Sequence, residues 1–243
     1  MRLIPINCAR PGMILGKTIY DAREHRLLNV GVTLSEFYIK KIFDLRISGI
    51  YIDDDISKDI EVKNVINDEL RIKAINSIKN MFIINNKTQL DENFRSINDL
   101  IKNIIEEILN NKDGILSIVD LKIFDEYTYY HSVNVAVLSI VMGVGLKLSD
   151  EDLRYLGLGA ILHDFGKCFI DKNILNKNGK LTDAEFEIMK SHPRAGYDFL
   201  VDRLNLSAHS SMCILQHHTK WDGTGYPFKL NGDKFIGEDI IHI

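Results

Sequence analysis

The stretch His163-Asp164-Phe165-Gly166-Lys167 sets an imidazole beside a carboxylate at the end of an apolar segment, with a lysine three residues beyond the carboxylate. Adjacent helical residues point about 100° apart, so one side chain of the pair can serve one metal ion while the other reaches across to a second. A lone His-Asp pair reads most simply as solvated groups at a helix end. Its surroundings change that reading. Six of the eight histidines fall between His131 and His218, and five of them stand at or near the ends of apolar segments: His131, His163, His192 ahead of Pro193, and the doublet His217-His218. His209 has no such neighbour and is left aside. Imidazole and carboxylate donors without cysteine suit iron, manganese, zinc or nickel rather than calcium or magnesium. Two ions bridged by Asp164 would activate a shared water near neutral pH and clamp phosphate oxygens for in-line attack. Lys167 is placed to neutralise charge developing on a phosphoryl group, against the plainer reading of a solvated helix-end lysine.

The elements that must position these residues are helical. Ser149 with Asp152 and Thr182 with Glu185 have capping-box spacing, and Pro193 suits the first turn of a helix. Ile97, Leu100, Ile101, Ile104, Ile105, Ile108 and Leu109 form a helical stripe with Gly114 as its stop. From Ile115 onward every strong segment is helical, which predicts an all-α domain over 115–243. Residues 61–114 read as a helical linker region with a mixed, polar start and a break at Asn85-Asn86-Lys87. Before it, 1–60 reads as a small α+β module: strands at Ile4–Ile6, Met13–Ile19, Arg26–Val32 and Gly49–Ile52, and a helix capped by Ser35 and stopped by Gly49. His25, among charged neighbours, reads as a solvated turn residue. The module carries no metal-type or nucleophilic chemistry; regulation or docking, and simple packing, are the two readings left open for it.

Composition bounds the function classes. A chain of 243 residues with 45% apolar content can bury a full core. Its formal charge of -4 argues against a nucleic-acid polymer or a polybasic membrane binder, while leaving room for one small anion held by local cations. Cys8, Cys168 and Cys213 are odd in number and lack CxxC spacing, so a reducing, cytoplasmic setting is the expectation. No signal-peptide pattern follows Arg2, and the apolar run from Val135 to Leu148 is too short to span a bilayer.

Together, His131, the HDxGK form at His163-Asp164, HPxxG at His192, the doublet His217-His218 and Asp222-Gly223-Thr224-Gly225-Tyr226-Pro227 resemble the HD-GYP subgroup of the HD-domain metal-dependent phosphohydrolases. The resemblance runs from about Asp120 to the C-terminus, and the first sixty residues resemble, more weakly, the small domain found ahead of such catalytic domains. It implies a helical phosphodiesterase domain that linearises cyclic di-GMP to pGpG, in some members continuing to GMP. It implies two divalent transition ions, iron or manganese, held by His131, His163, Asp164, His192, His217 and His218, with Asp164 and Lys167 catalytic. Arg194 and Lys220 are expected to meet the second phosphate, and Asp222, Gly223, Gly225, Tyr226 and Pro227 to form a constrained substrate loop, with stacking on a purine and simple packing as the two readings of Tyr226. Trp221 is expected to pack. Expected partners are cyclic di-GMP, a signalling protein docked through that loop, and a second copy of the chain.

Three departures qualify the resemblance. Thr219 stands where the doublet is usually followed by glutamate, removing a nearby carboxylate. Tyr127 stands one turn before His131, where trinuclear members have glutamate, and Glu126 is displaced by about 100°; two ions are expected rather than three. Ile236–Ile243 reads as the opening of a further helix, beyond which the family places its last metal-binding aspartate. On that reading the chain is truncated, holds one ion firmly and the other weakly, and turns over little. The alternative function is a catalytically silent module that binds a cyclic dinucleotide or docks a protein. A nucleotidase or other HD phosphohydrolase is disfavoured by the Asp222–Pro227 run.

Overall fold

The structure, a computed structural model, describes residues 1–20, 26–45, 47, 49–57, 64–83, 87–111, 127–177 and 179–229. The readings on His25, on 112–126 with Gly114 and Glu126, on Asn85-Asn86 and on Ile236–Ile243 lie outside the described residues. The chain divides into two compact units, Met1–Asp68 with Asn111–His131, and Glu69–Asn110 with Ser132–Ile243.

In the first unit, β1 (Arg2–Pro5), β2 (Ile14–Leu15), β3 (Ile19–Tyr20) and β4 (Arg26–Leu28) precede α1 (Glu36–Asp44) and β5 (Gly49–Asp53). One antiparallel sheet has the order β1-β5-β2, with Leu3 opposite Tyr51 and Leu15 opposite Ile52; β3 pairs with β4. The single strand expected over Met13–Ile19 is therefore two. At the break, the Gly16 amide donates to the Tyr51 carbonyl at 2.8 Å, and a Cβ on Gly16 would meet Met1 Cβ at 2.9 Å. Ser35 caps α1 by accepting from the Tyr38 amide. The helix stops at Asp44; Gly49, expected as the stop, opens β5 instead. Alternation along β5 buries Ile50 and Ile52 against Ile4, Leu15, Leu34, Ile42 and Ile47, the core of this unit.

The remaining elements are helices: α2 (Asp68–Phe82), α3 (Lys87–Asn110), α4 (Tyr127–Gly145), α5 (Asp150–Leu162), α6 (Lys172–Leu175), α7 (Asp183–Met189), α8 (His192–Val201) and α9 (Ala208–Gln216), with a 3-10 turn at Phe165–Phe169. In α2 the buried positions Leu70, Ala74, Ile75, Ile78 and Met81 recur at three- and four-residue spacing, although lysines and asparagines between them give the stretch its polar look. The α3 stripe is buried as its spacing requires. Ser149 accepts from the Asp152 amide at the start of α5, Thr182 and Glu185 cap α7 reciprocally, and Ser207 caps α9. Among the described residues, no helix is long and apolar enough to cross a membrane. The fold is thus α+β overall, a small strand-containing N-terminal part and a helical remainder.

Two close approaches set the helical geometry. A Cβ on Gly159 would lie 2.4 Å from Cys213 Cβ, so α5 and α9 cross with almost nothing between them. A Cβ on Gly166 would lie 1.9 Å from the His192 carbonyl oxygen and 2.7 Å from the Gly196 amide, so the 3-10 turn lies directly on the first turns of α8. Phe165 pins that turn: it is 1% exposed and rings with Phe82 and Phe199, both at 5.5 Å.

Candidate metal centre

Those two contacts bring three helix ends to one point. His163 caps α5, Asp164 opens the 3-10 turn, His192 begins α8 and His217 caps α9. In each histidine Nδ1 faces the carbonyl three residues back: His163 to Ala160 at 2.6 Å, His192 to Met189 at 2.7 Å, His217 to Ile214 at 2.9 Å. A carbonyl can only accept, so each Nδ1 carries the proton and a neutral ring turns the Nε2 lone pair inward.

The inward atoms meet around Asp164, whose side chain is 1% exposed. Its Oδ1 lies 3.3 Å from His192 Nε2 and 3.7 Å from His217 Nε2; its Oδ2 lies 3.3 Å from His163 Nε2 and 2.6 Å from Lys167 Nζ. His192 Nε2 and His217 Nε2 are only 3.1 Å apart. Two lone pairs aimed at each other across that distance, beside a carboxylate, repel unless a cation sits among them. One ligand atom each from Asp164, His192, His217 and His218 all lie within 4.8 Å of one another, which fits a divalent ion.

The electrostatics keep these donors in ligand form. Burial opposes the charge of Asp164, but His163, His192 and His217 around it outweigh that and hold its carboxyl well below the usual range. Burial, followed by neighbouring histidines, pushes His218 down to about 3, and burial lowers His217 as well. At neutral pH both imidazoles are neutral.

The other singled-out residues take several settings. His131 is half-buried, in the second turn of α4. His209 is exposed and rings with Tyr155, at 5.6 Å. Arg194 is exposed on α8 and donates to Asp198 at 2.8 Å; Lys220 is exposed. Asp222 accepts from the Thr224 amide and hydroxyl, so its carboxylate shapes the loop. Gly223 has φ +76°, and a Cβ on Gly225 would lie 2.3 Å from the His218 carbonyl oxygen, so the loop backbone folds onto the doublet. Tyr226 stacks on His218 with ring centroids 4.6 Å apart, Pro227 follows through a cis bond, and burial raises the Tyr226 hydroxyl to about 12. Trp221, expected to pack, is 70% exposed: its helix has ended, and the loop turns the indole outward. Thr219, at the family's glutamate position, is buried and donates from Oγ1 to the Tyr226 carbonyl at 3.4 Å, tying doublet to loop. Sequence reading missed Gly159 and Phe165 as positioning residues; Gly157 and Gly159 inside an otherwise apolar helix were the available signal.

A family model described as HD domain matches residues 95–236. The chain is 46% identical over 132 residues to the cyclic di-GMP phosphodiesterase PA4108 of Pseudomonas aeruginosa, covering 54% of this chain and 32% of that protein. It is 30% identical over 175 residues to a cyclic di-GMP phosphodiesterase of Thermotoga maritima, covering 68% of this chain and 47% of that one. It is 39% identical over 119 residues to the 3'3'-cGAMP-specific phosphodiesterase 3 of Vibrio cholerae, covering 48% of this chain and 25% of that one. The chain thus spans less than half the length of each. Bd1817, a HDG"Y"P protein from Bdellovibrio bacteriovorus, shares its fold with TM-score 0.50 and 19% identity, over 96% of this chain and 81% of that one.

Proposed function

The chain belongs to the HD domain family, and from that premise we propose that it is a metal-dependent phosphodiesterase that opens cyclic di-GMP to pGpG. One observation carries the reading: a buried carboxylate and imidazoles of fixed tautomer converge with their lone pairs on one point. The printed activities of the Pseudomonas and Thermotoga relatives support the substrate.

We assign Asp164, His192, His217 and His218 to one ion and, from the family resemblance, His131 with the His163-Asp164 pair to a second, with iron or manganese as the metals. Bound there, divalent ions supply an activated water near neutral pH and positive charge for phosphoryl oxygens. The chain's own groups do the rest. Asp164 presents its two oxygens to opposite sets of histidines, the arrangement a bridging carboxylate needs. Lys167 hydrogen-bonds Asp164 and brings its ammonium to the same point, where it would balance charge growing on the phosphate. Tyr226 and the backbone at Gly223 and Gly225 form the loop wall against which the nucleotide lies, and the first sixty residues form an accessory module.

Metal content by plasma mass spectrometry, with cyclic di-GMP conversion followed chromatographically, tests the proposal. Retained iron or manganese, pGpG formation and loss of both on chelation are expected. A fully metallated protein that leaves cyclic di-GMP intact would overturn the catalytic reading in favour of a silent binding module. Within the same assay, Lys167→Ala is expected to lower the rate constant about 10²–10³-fold at unchanged metal content, the scale of losing one preorganised electrostatic donor. An unchanged rate would make Lys167 a scaffold for Asp164.

A further inference from the structure

A cleft of about 630 Å³ lies between α7 and the Tyr226 loop, a volume within the usual range for small-molecule sites. It begins one ring away from the ligand cluster, because Tyr226 lines it and stacks directly on His218. Among the described residues, its polar walls carry three ammonium groups, Lys190, Lys220 and Lys229, against the single carboxylate of Glu187. Glu187, paired with Lys190 at 2.5 Å, is 70% exposed, so its carboxylate stands in water and gives way to a competing anion. Two aromatic rings complete the cleft: Phe186 and Tyr226 meet edge to face with centroids 6.4 Å apart. Phe186 is 47% exposed although it sits on a well-capped helix, and Lys190 Nζ lies over its ring at 5.4 Å. Flexible point charges beside a half-exposed aromatic ring suit a phosphate joined to a flat base.

We infer that α7 builds a substrate subsite, resting on the phosphodiesterase reading above: Lys190 together with Lys220 takes the phosphate that is not cleaved, while Phe186 and Tyr226 hold its purine. A cyclic dinucleotide suits this arrangement. One phosphate lies over the metal-ligand cluster, and the other half-molecule extends past Tyr226 into the cleft. Lys190 and Phe186 are therefore residues that set affinity and specificity, whereas Asp164 and its histidines serve the reacting phosphate.

Calorimetric titration of the metal-loaded protein with a phosphorothioate analogue of cyclic di-GMP, which resists hydrolysis, tests the inference. Lys190→Ala and Phe186→Ala should each weaken binding about tenfold, the loss of one charge-assisted contact or one stacked base, with metal content and melting temperature unchanged. Lys190→Arg should restore binding to within about threefold, since the charge is kept. Wild-type binding that the Lys190 and Phe186 variants share undiminished overturns the subsite and leaves the phosphodiesterase reading standing. A metal-loaded wild type that binds no analogue overturns both.

Discussion

Gly166→Ala is expected to destabilise the protein by about 3–5 kcal/mol and to strip its metal. The added Cβ would lie 1.9 Å from the His192 carbonyl oxygen, 2.8 Å from the His192 carbonyl carbon and 2.7 Å from the Gly196 amide nitrogen. All three atoms are backbone, so no side chain can swing aside. The 3-10 turn and α8 must separate by more than an ångström, and because Asp164 rides on one and His192 on the other, their 3.3 Å contact opens with them. Overpacking with no escape route belongs to the severe tail of single substitutions. Gly145→Ala, at the end of α4, is the matched control: its Cβ would meet nothing within 4 Å, and the change should stay within about 1 kcal/mol. Urea melts of the two variants, with metal analysis, decide the matter. An unchanged midpoint for Gly166→Ala would mean that the turn and α8 are not locked together.

Asp164→Asn is expected to abolish metal retention and to lower hydrolysis of cyclic di-GMP by at least about 10⁴-fold. The amide has nearly the same size, so packing around this 1%-exposed position is preserved. What goes is the negative charge and the ability of two oxygens to face two sets of donors at once, His192 and His217 on one side, His163 and Lys167 on the other. The magnitude follows from the role assigned to the ions: lowering the pKa of water from its bulk value to about 7 supplies far more than about four orders of magnitude in available nucleophile at neutral pH. Metal stoichiometry and turnover should fall together, which distinguishes this variant from Lys167→Ala, where only turnover falls. Full metal occupancy with more than about a tenth of the activity would show that Asp164 is not a ligand.

Much of this centre was legible in the chain because local spacing carries it. His163, His192 and His217 stand at helix ends, and each turns Nδ1 to the carbonyl three residues back, a short-range contact that sets its tautomer. Capping at Ser149 and Thr182, and the α3 stripe, are equally local. The α+β character and the helical setting of the motifs followed from the same short-range patterns. Strand lengths did not: Met13–Ile19 reads as one β-like run until Gly16 must pass against Ile52 and the run divides. Neither did the roles of the outer polar residues. The Asp222–Thr224 and Arg194–Asp198 contacts are local, two and four residues apart, whereas only the tertiary structure tells an exposed Trp221 from a packed one. Helix geometry dictates which side chains share a turn, and so the amino-acid order determined which groups can be ligands. It does not dictate where two helices cross. That was decided at Gly159 against Cys213 and at Gly166 against Gly196, where missing side chains let backbones approach within reach of one another and bring groups 25 to 54 residues apart onto a single ion-sized point.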